Sequence, residues 1–171
     1  NTTPVGIDRG QLNSVFYAAN IKIDELDYIA VNSNPSSNLR KKLTYAISNP
    51  QNPIFLLQRF FNRKSSNKYN TELKKIYNKD FNKKIINIDH HISHINSSYF
   101  NSDFKEAACL SIDGFGDFTS TKWGYYTNNS FKFGNQVTFP SSMGIFYQSL
   151  TQYLGFHNYG DEYKVMGLAP Y

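Results

Sequence analysis

The chain is predicted to fold as an α/β protein, a mixed sheet with flanking helices. Three patterns predict it. The apolar runs Ile85-Ile86-Asn87-Ile88 and Ala107 to Ile112 have the texture of buried strands, and residues 89–100 between them read as a helix. Residues 119–127 are strand-like, and Asn128-Asn129 turns them into the alternating Phe131-Lys132-Phe133. Residues 143–154 place Met143, Phe146, Tyr147, Leu150, Tyr153 and Leu154 on one helical face, with Ser141 or Ser142 as N-cap and Gly155 at the C′ position. Strands mixed with helices and hairpins pack in α/β layers.

The remaining elements follow in order. Residues 4–19 read as a helix with Thr3 as N-cap and Pro4 at its first position, and Leu12, Val15, Phe16 and Ala19 share a face. An acidic turn, 24–27, leads into the short strand Tyr28-Ile29-Ala30-Val31. Residues 32–38, rich in Ser, Asn and Pro, read as a loop. The middle is helical in pattern: Leu39, Leu43 and Ile47 suit one helix, Leu56, Leu57, Phe60 and Phe61 a second, and Leu73, Ile76 and Tyr77 a third, with Pro50 and Pro53 between the first two. No internal repeat is visible.

Charge divides the chain. Of its 171 residues, 18 are Lys or Arg and 13 are Asp or Glu, a formal charge of +5. Between Arg40 and Lys84 there are twelve basic residues and two acids, Glu72 and Asp80. A basic, aromatic-bearing stretch of this kind serves either nucleic acid or a membrane surface, or is a solvated helical insertion with its aromatics turned inward; the last is the commoner outcome. The hydrophobic share, 40%, is enough for a packed core. Apolar runs reach only about four residues, far below the roughly twenty that span a bilayer. Cys109 is alone, which excludes a disulfide framework and a cysteine-rich zinc site and fits a reducing, cytoplasmic setting. Both ends read as cut, so a segment of a longer protein is expected.

Candidate chemistry gathers late in the chain. His90, His91 and His94 fall within Asp89-His90-His91-Ile92-Ser93-His94. On a helix His90 and His94 lie one turn apart, with Cβ atoms about 6 Å apart, close enough to share a divalent metal. His91 points about 100° away and is read as a substrate contact or a support behind the site. The same pattern also suits an ordinary polar helix start. Asp113 ends the next apolar strand. If that strand lies beside Ile85–Ile88, Asp113 reaches the histidines and completes a two-His, one-carboxylate set with open positions, which suits Fe2+ or another metal tolerant of octahedral geometry. Otherwise it caps a hairpin. Asp113-Gly114-Phe115-Gly116-Asp117 lets backbone N–H groups approach an anion, or is a plain β-turn. In Gly160 to Tyr171, Lys164 offers a cation to a phosphate, Glu162 an acceptor to a hydroxyl, amine or metal-bound water, and Gly167 a close backbone approach; a salt-bridged surface turn is the alternative. Cys109 reads as a small core residue, and the serines at 141 and 142 as caps.

The strings Asp89-His90-His91-x-x-His94, Ser111-Ile112-Asp113-Gly114-Phe115-Gly116-Asp117, Pro140 to Tyr147, Tyr153-Leu154-Gly155-Phe156 and Glu162 to Tyr171 together resemble, in order and spacing, the ATP-dependent O-carbamoyltransferases that modify nodulation factors, cephalosporins and aminoglycosides. The resemblance is strong over 84–171, weaker over 1–33, and poor over 34–83, a variable basic insertion. It implies a partial actin-like ATPase fold of the ribonuclease-H-like kind, one partial N-terminal domain over 1–171 with its metal- and nucleotide-binding core at 84–171. It implies transfer of a carbamoyl group from carbamoyl phosphate, with ATP and through carbamoyl-adenylate, to a hydroxyl of a small-molecule or glycan acceptor. The implied metal ligands are His90, His94 and Asp113, holding Fe2+, with Mg2+ or Mn2+ as alternatives. Asp113, Gly114, Gly116, Lys164 and Gly167 are implied near nucleotide or carbamoyl-adenylate, and His91, Glu162 and Ser142 near the acceptor or behind the site. No catalytic residue is assigned. The family's usual Gly before Glu-Tyr-Lys is Asp161 here. Its N-terminal phosphate hairpin and its adenylate-forming domain are missing from this sequence, so the segment alone is expected to be inactive and to bind metal weakly. The competing reading is a nucleotide- and RNA-binding module akin to the tRNA threonylcarbamoyl transferases, with the basic middle as RNA surface.

Overall fold

The computed structural model describes residues 8–49, 65–158 and 160–171. The chain forms two compact units, Asn1–Asp89 and His90–Tyr171.

The first unit begins, among the described residues, with α1 (Arg9–Ala19), capped by Asp8, whose carboxylate accepts from the Gly10 N–H at 2.8 Å. The expected Thr3 cap lies outside the described residues. Leu12 and Phe16 are half-buried, while Val15 and Ala19 of the expected face are exposed. A 3-10 turn (Ile23–Glu25) leads to β1 (Ile29–Val31). After the loop come α2 (Leu39–Ser48) and α3 (Ser65–Tyr77), then β2 (Ile85–Asn87), which pairs in parallel with β1, Ile29 opposite Ile85. The predicted helix over Leu56–Phe61 falls outside the described residues. A parallel pair needs a long crossover, and the helical middle supplies it. Leu73, Phe81 and Val31 are buried, and Tyr77 packs edge-on against both Phe16 and Phe81.

Several middle cations are engaged locally. Lys79 pairs with Asp24, and Lys84 donates to the Asp24 and Leu26 carbonyls. Lys75 bonds Glu72 at 2.8 Å and Lys42 donates to the Pro35 carbonyl at 3.1 Å. The acidic turn and the basic middle thus neutralise each other in part.

The second unit contains α4 (His90–Tyr99), then the antiparallel sheet β3 (Ala107–Gly116), β4 (Thr119–Thr127) and β5 (Ser130–Thr138), then α5 (Met143–Tyr153) and α6 (Glu162–Gly167). Both hairpins turn on two residues with positive φ, Asp117-Phe118 (53° and 72°) and Asn128-Asn129 (49° and 56°). Turns with both central residues left-handed match the twist of the flanking strands. The sheet therefore forms locally, with β3 paired to β4 and β4 to β5. Among the described residues the first unit has a parallel pair of strands and the second an antiparallel sheet.

α4 lays a stripe at i, i+4 and i+8 inward: His91, Ile95 and Tyr99 are its buried residues. Ile95, Tyr99 and Tyr126 form the core, with Ala107, Cys109 and Phe131 against it. Tyr99 and Tyr126 stack with centroids 3.8 Å apart. Cys109 is half-buried on this face. The Tyr126 hydroxyl donates to Asn96 Oδ1. Tyr126→Phe should keep the stack, lose this bond and leave Asn96 short of a partner, a cost of about 1 kcal/mol by urea denaturation.

α5 is capped as expected: the Ser142 Oγ accepts from the Ile145 N–H at 3.1 Å, and Gly155 follows with φ +93°. Its inward stripe differs from the one predicted. Gly144, Tyr147, Gln148 and Thr151 are the covered positions, whereas Met143, Phe146, Leu150, Tyr153 and Leu154 are exposed. The outer face of the sheet, with Leu110, Ile112, Trp123 and Tyr125, is also exposed. No helix among the described residues is long and apolar enough to cross a membrane.

Candidate metal centre

Three ligand-type atoms converge where α4 begins. His90 Nε2 lies 2.7 Å from Asp113 Oδ2, His94 Nε2 lies 3.1 Å from His90 Nε2, and His94 Nε2 lies 3.6 Å from Asp113 Oδ2. Among the described residues this is the cluster able to hold a metal. Three ligand atoms each about 2.1 Å from one ion and mutually perpendicular stand about 3.0 Å apart, and the three observed separations bracket that value. The donor set is two imidazole nitrogens and one carboxylate oxygen. Grouped on one side of an ion, they leave positions open to other ligands. The cluster is reachable, since the side chain of His94 is 51% exposed and that of Asp113 39%.

Each ligand is placed by an identifiable device. The buried stripe of α4 fixes the rotation of the helix. His90 and His94, one step round from His91 and Ile95, then face the end of β3. The His90 backbone N–H, an unsatisfied donor at any helix start, donates to Asp117 Oδ2 at 2.9 Å. Asp117 sits in the β3–β4 turn, so this bond ties the helix start to the hairpin.

Asp113 does not end its strand as expected. β3 continues to Gly116 through a bulge: Ile112 pairs with Thr121 and Gly116 with Thr119, so residues 113–115 face Ser120 alone. A bulge re-aims the side chains at its site. Here it directs one carboxylate oxygen at the histidines while the other accepts from the Gly114 N–H at 2.6 Å. Burial alone raises the Asp113 pKa; the His90 hydrogen bond, the Gly114 N–H and the charges of His90 and His94 outweigh it and hold the carboxyl below the ordinary carboxylate range. Asp113 therefore contributes a negative charge to the cluster.

His91 is fully buried, with Nδ1 2.8 Å from Ser111 Oγ and Nε2 3.0 Å from the Thr119 carbonyl. It lies behind the cluster, and its burial leaves no surface for a substrate. Because the Thr119 carbonyl can only accept, Nε2 carries the proton and Nδ1 accepts from the Ser111 hydroxyl.

Ser142 joins α5 to the bulge. Its hydroxyl lies 3.1 Å from the Asp113 carbonyl and 2.7 Å from that of Gly114. Gly114 and Gly116 belong to the bulged strand and not to a turn; the turn is Asp117-Phe118. Lys164 is engaged within its own turn. Its Nζ pairs with Asp161 at 2.7 Å and lies 5.8 Å from the rings of both Phe156 and Tyr163. Glu162 opens α6, and its carbonyl faces the Tyr147 hydroxyl at 3.4 Å. Nothing stands within contact distance of a side chain added at Gly167.

The Asp161–Lys164 pair has a pH signature. The Lys164 hydrogen bond lowers the pKa of Asp161, and the same bond raises that of Lys164. A depressed carboxyl stabilises the fold above its unfolded pKa and loses that contribution as pH falls through the folded value; a raised lysine contributes below its unfolded pKa and loses it above. Asp161→Asn should therefore flatten the loss of stability on the acid side, below about pH 4, in urea titrations run at successive pH values.

Sequence reasoning missed Asp117, Ser111, Thr119 and Gly144. Asp117 had a usable signal, since Asp tolerates the left-handed turn conformation and makes a ready helix cap. The other three acquire their roles only from cross-strand and helix–strand register.

The second unit thus carries a surface two-His, one-carboxylate cluster beside a bulged hairpin. The sequence profile of the carbamoyltransferase N-terminus family matches residues 10–171, and the chain belongs to that family. It is 32% identical over 169 residues to an uncharacterised protein of Synechocystis sp., covering 94% of this chain and 27% of that protein. It is 42% identical over 86 residues to the nodulation protein NolNO of Sinorhizobium fredii, covering 49% of this chain and 12% of that protein. An uncharacterised protein of Methanocaldococcus jannaschii is 44% identical over 101 residues, 58% of this chain and 19% of that protein. The chain thus spans 27% or less of the length of these relatives.

Proposed function

We propose that this chain is the N-terminal, metal-binding part of an ATP-dependent O-carbamoyltransferase. The observation that carries the reading is the convergence of His90, His94 and Asp113 in a chain of the carbamoyltransferase N-terminus family. In the reaction, carbamoyl phosphate is hydrolysed to carbamate and phosphate, and a carbamate oxygen then attacks the α-phosphorus of ATP, forming carbamoyl-adenylate and releasing pyrophosphate. A hydroxyl of a small-molecule or glycan acceptor then attacks the carbamoyl carbon: the new C–O bond forms, the bond to the AMP phosphate breaks, and the hydroxyl proton is lost. The rest of the fold, on this reading, is the actin-like ATPase type, and the protein works in the cytoplasm.

His90, His94 and Asp113 would hold the ion. Two imidazoles and a carboxylate suit Fe2+, and Mg2+ or Mn2+ less well. Bound there, a divalent ion supplies Lewis-acid neutralisation of phosphate oxygens. The chain's own residues do the positioning. Asp117 anchors the start of the histidine helix, Ser142 holds the Asp113–Gly114 peptide, and Lys164 offers a cation that a phosphate can draw from Asp161. Holding the acceptor hydroxyl near the carbamoyl carbon is the remaining requirement. The RNA-binding alternative is less well supported, because Lys42, Lys75, Lys79 and Lys84 already have partners within the chain.

The test is pyrophosphate release by the full-length protein. It should require both ATP and carbamoyl phosphate and fall at least tenfold in His94→Ala. Release that ignores carbamoyl phosphate, or none from metal-loaded protein, would contradict the proposal.

A further inference from the structure

We propose that Gly116 and Gly144 are positioning residues of the candidate metal centre, each seating one ligand through the side chain it lacks; this rests on the reading of His90, His94 and Asp113 as metal ligands. A Cβ placed on Gly116 would lie 2.1 Å from Cδ2, 2.2 Å from Cγ and 2.7 Å from Cβ of His90. A Cβ on Gly144 would lie 2.6 Å from the carbonyl carbon and oxygen of Asp113 and from the Gly114 nitrogen. Separations below 3.0 Å do not occur for real Cβ atoms, so something must move.

Backbone freedom does not explain either glycine, since positive φ values among the glycines belong to Gly155 and Gly160. Space does. At Gly116 the missing methyl is where the His90 ring lies, across the end of β3. Because the Asp117 carboxylate fixes the His90 N–H at 2.9 Å, the backbone on that side resists retreat. A methyl there therefore has to displace the His90 Cβ and ring together, and that displacement carries Nε2 away from Asp113. At Gly144 the neighbour is main chain, which cannot rotate aside. A methyl has to lift the first turn of α5 off the bulge, and with it the Ser142 hydroxyl that holds the Asp113 and Gly114 carbonyls. The two glycines thus act on different ligands. Gly114 has no such role, since a Cβ there meets Ile145 at an ordinary 3.7 Å.

The sequence resemblance puts Gly116 at nucleotide phosphates. Its side-chain position is filled by the His90 imidazole. A purely anion-binding glycine would affect nucleotide affinity and leave the metal alone, which separates the two roles.

Co2+ titration of the full-length protein, followed by its visible d–d absorption, reads the coordination directly. Gly116→Ala and Gly144→Ala should each weaken Co2+ binding at least tenfold and change the band shape, with melting still cooperative. This is about the loss seen when groups that orient metal ligands are removed. If Gly116→Ala fails to fold, His90→Gly combined with Gly116→Ala should restore folding by deleting the ring that the methyl meets. Wild-type affinity and spectrum in either alanine variant would overturn the assignment for that residue. A Gly116→Ala chain that stays unfolded with His90→Gly would overturn it as well. Parent protein that binds Co2+ no better than His94→Ala would overturn the metal reading, and this inference with it.

Discussion

Asp113→Asn should lower divalent-metal affinity by about a hundredfold or more, measured by competition with a chromophoric chelator. Loss of groups that merely support a ligand costs 10- to 100-fold, and a ligand should cost at least as much. The substitution is nearly isosteric, so the bulge and the Ser142 bonds to main-chain carbonyls have no reason to change. What changes is charge. Two neutral imidazoles and one carboxylate put a single negative charge beside the ion, and Asn removes it. The amide also presents an N–H₂ group that can turn toward His90. Without metal the outcome is milder. Asp113 loses its bond to His90, but both groups are part-exposed and water can replace it, so stability should change little. A large affinity loss with a small stability loss is the signature of a ligand, and the reverse would be that of a structural hinge.

His91→Leu should do the opposite, destabilising the second unit by about 2–4 kcal/mol in urea denaturation. Ser111 Oγ and the Thr119 carbonyl both bond the imidazole, and both belong to residues that are buried or nearly so. Leaving a buried polar group without its partner costs about 1–3 kcal/mol, and two are left here. Leucine recovers part through its own burial but cannot satisfy either group. His91 also sits on the inward stripe that sets the rotation of α4. Metal affinity should therefore fall as well, though less than for Asp113→Asn, because His90 and His94 stay on the helix.

The elements that could be read from sequence are those decided by neighbours in the chain. Asn128-Asn129 makes its turn because both residues accept positive φ. Ser142 caps α5 because its hydroxyl reaches an N–H three residues on. The pairing of His90 with His94 follows from helical spacing. What could not be read depends on register. Nothing local says that three residues after Ile112 face a single residue of β4, yet that bulge is what aims Asp113. The packing of α4 on β3 is what brings the carboxylate to the histidines. Gly116 looked like a backbone-approach glycine because the ring that fills its missing side chain comes from 26 positions earlier. The outward turn of Met143, Phe146 and Tyr153 was illegible for a related reason. Apolar spacing marks a face but does not say what lies against it.

X-ray absorption at the edge of the metal bound to the full-length protein tests the central claim most directly. Two imidazoles and light oxygen or nitrogen neighbours near 2.1 Å should be resolved, with one imidazole lost in His94→Ala. An identical spectrum from that variant, or a shell without imidazole, would contradict a shared ion at His90, His94 and Asp113.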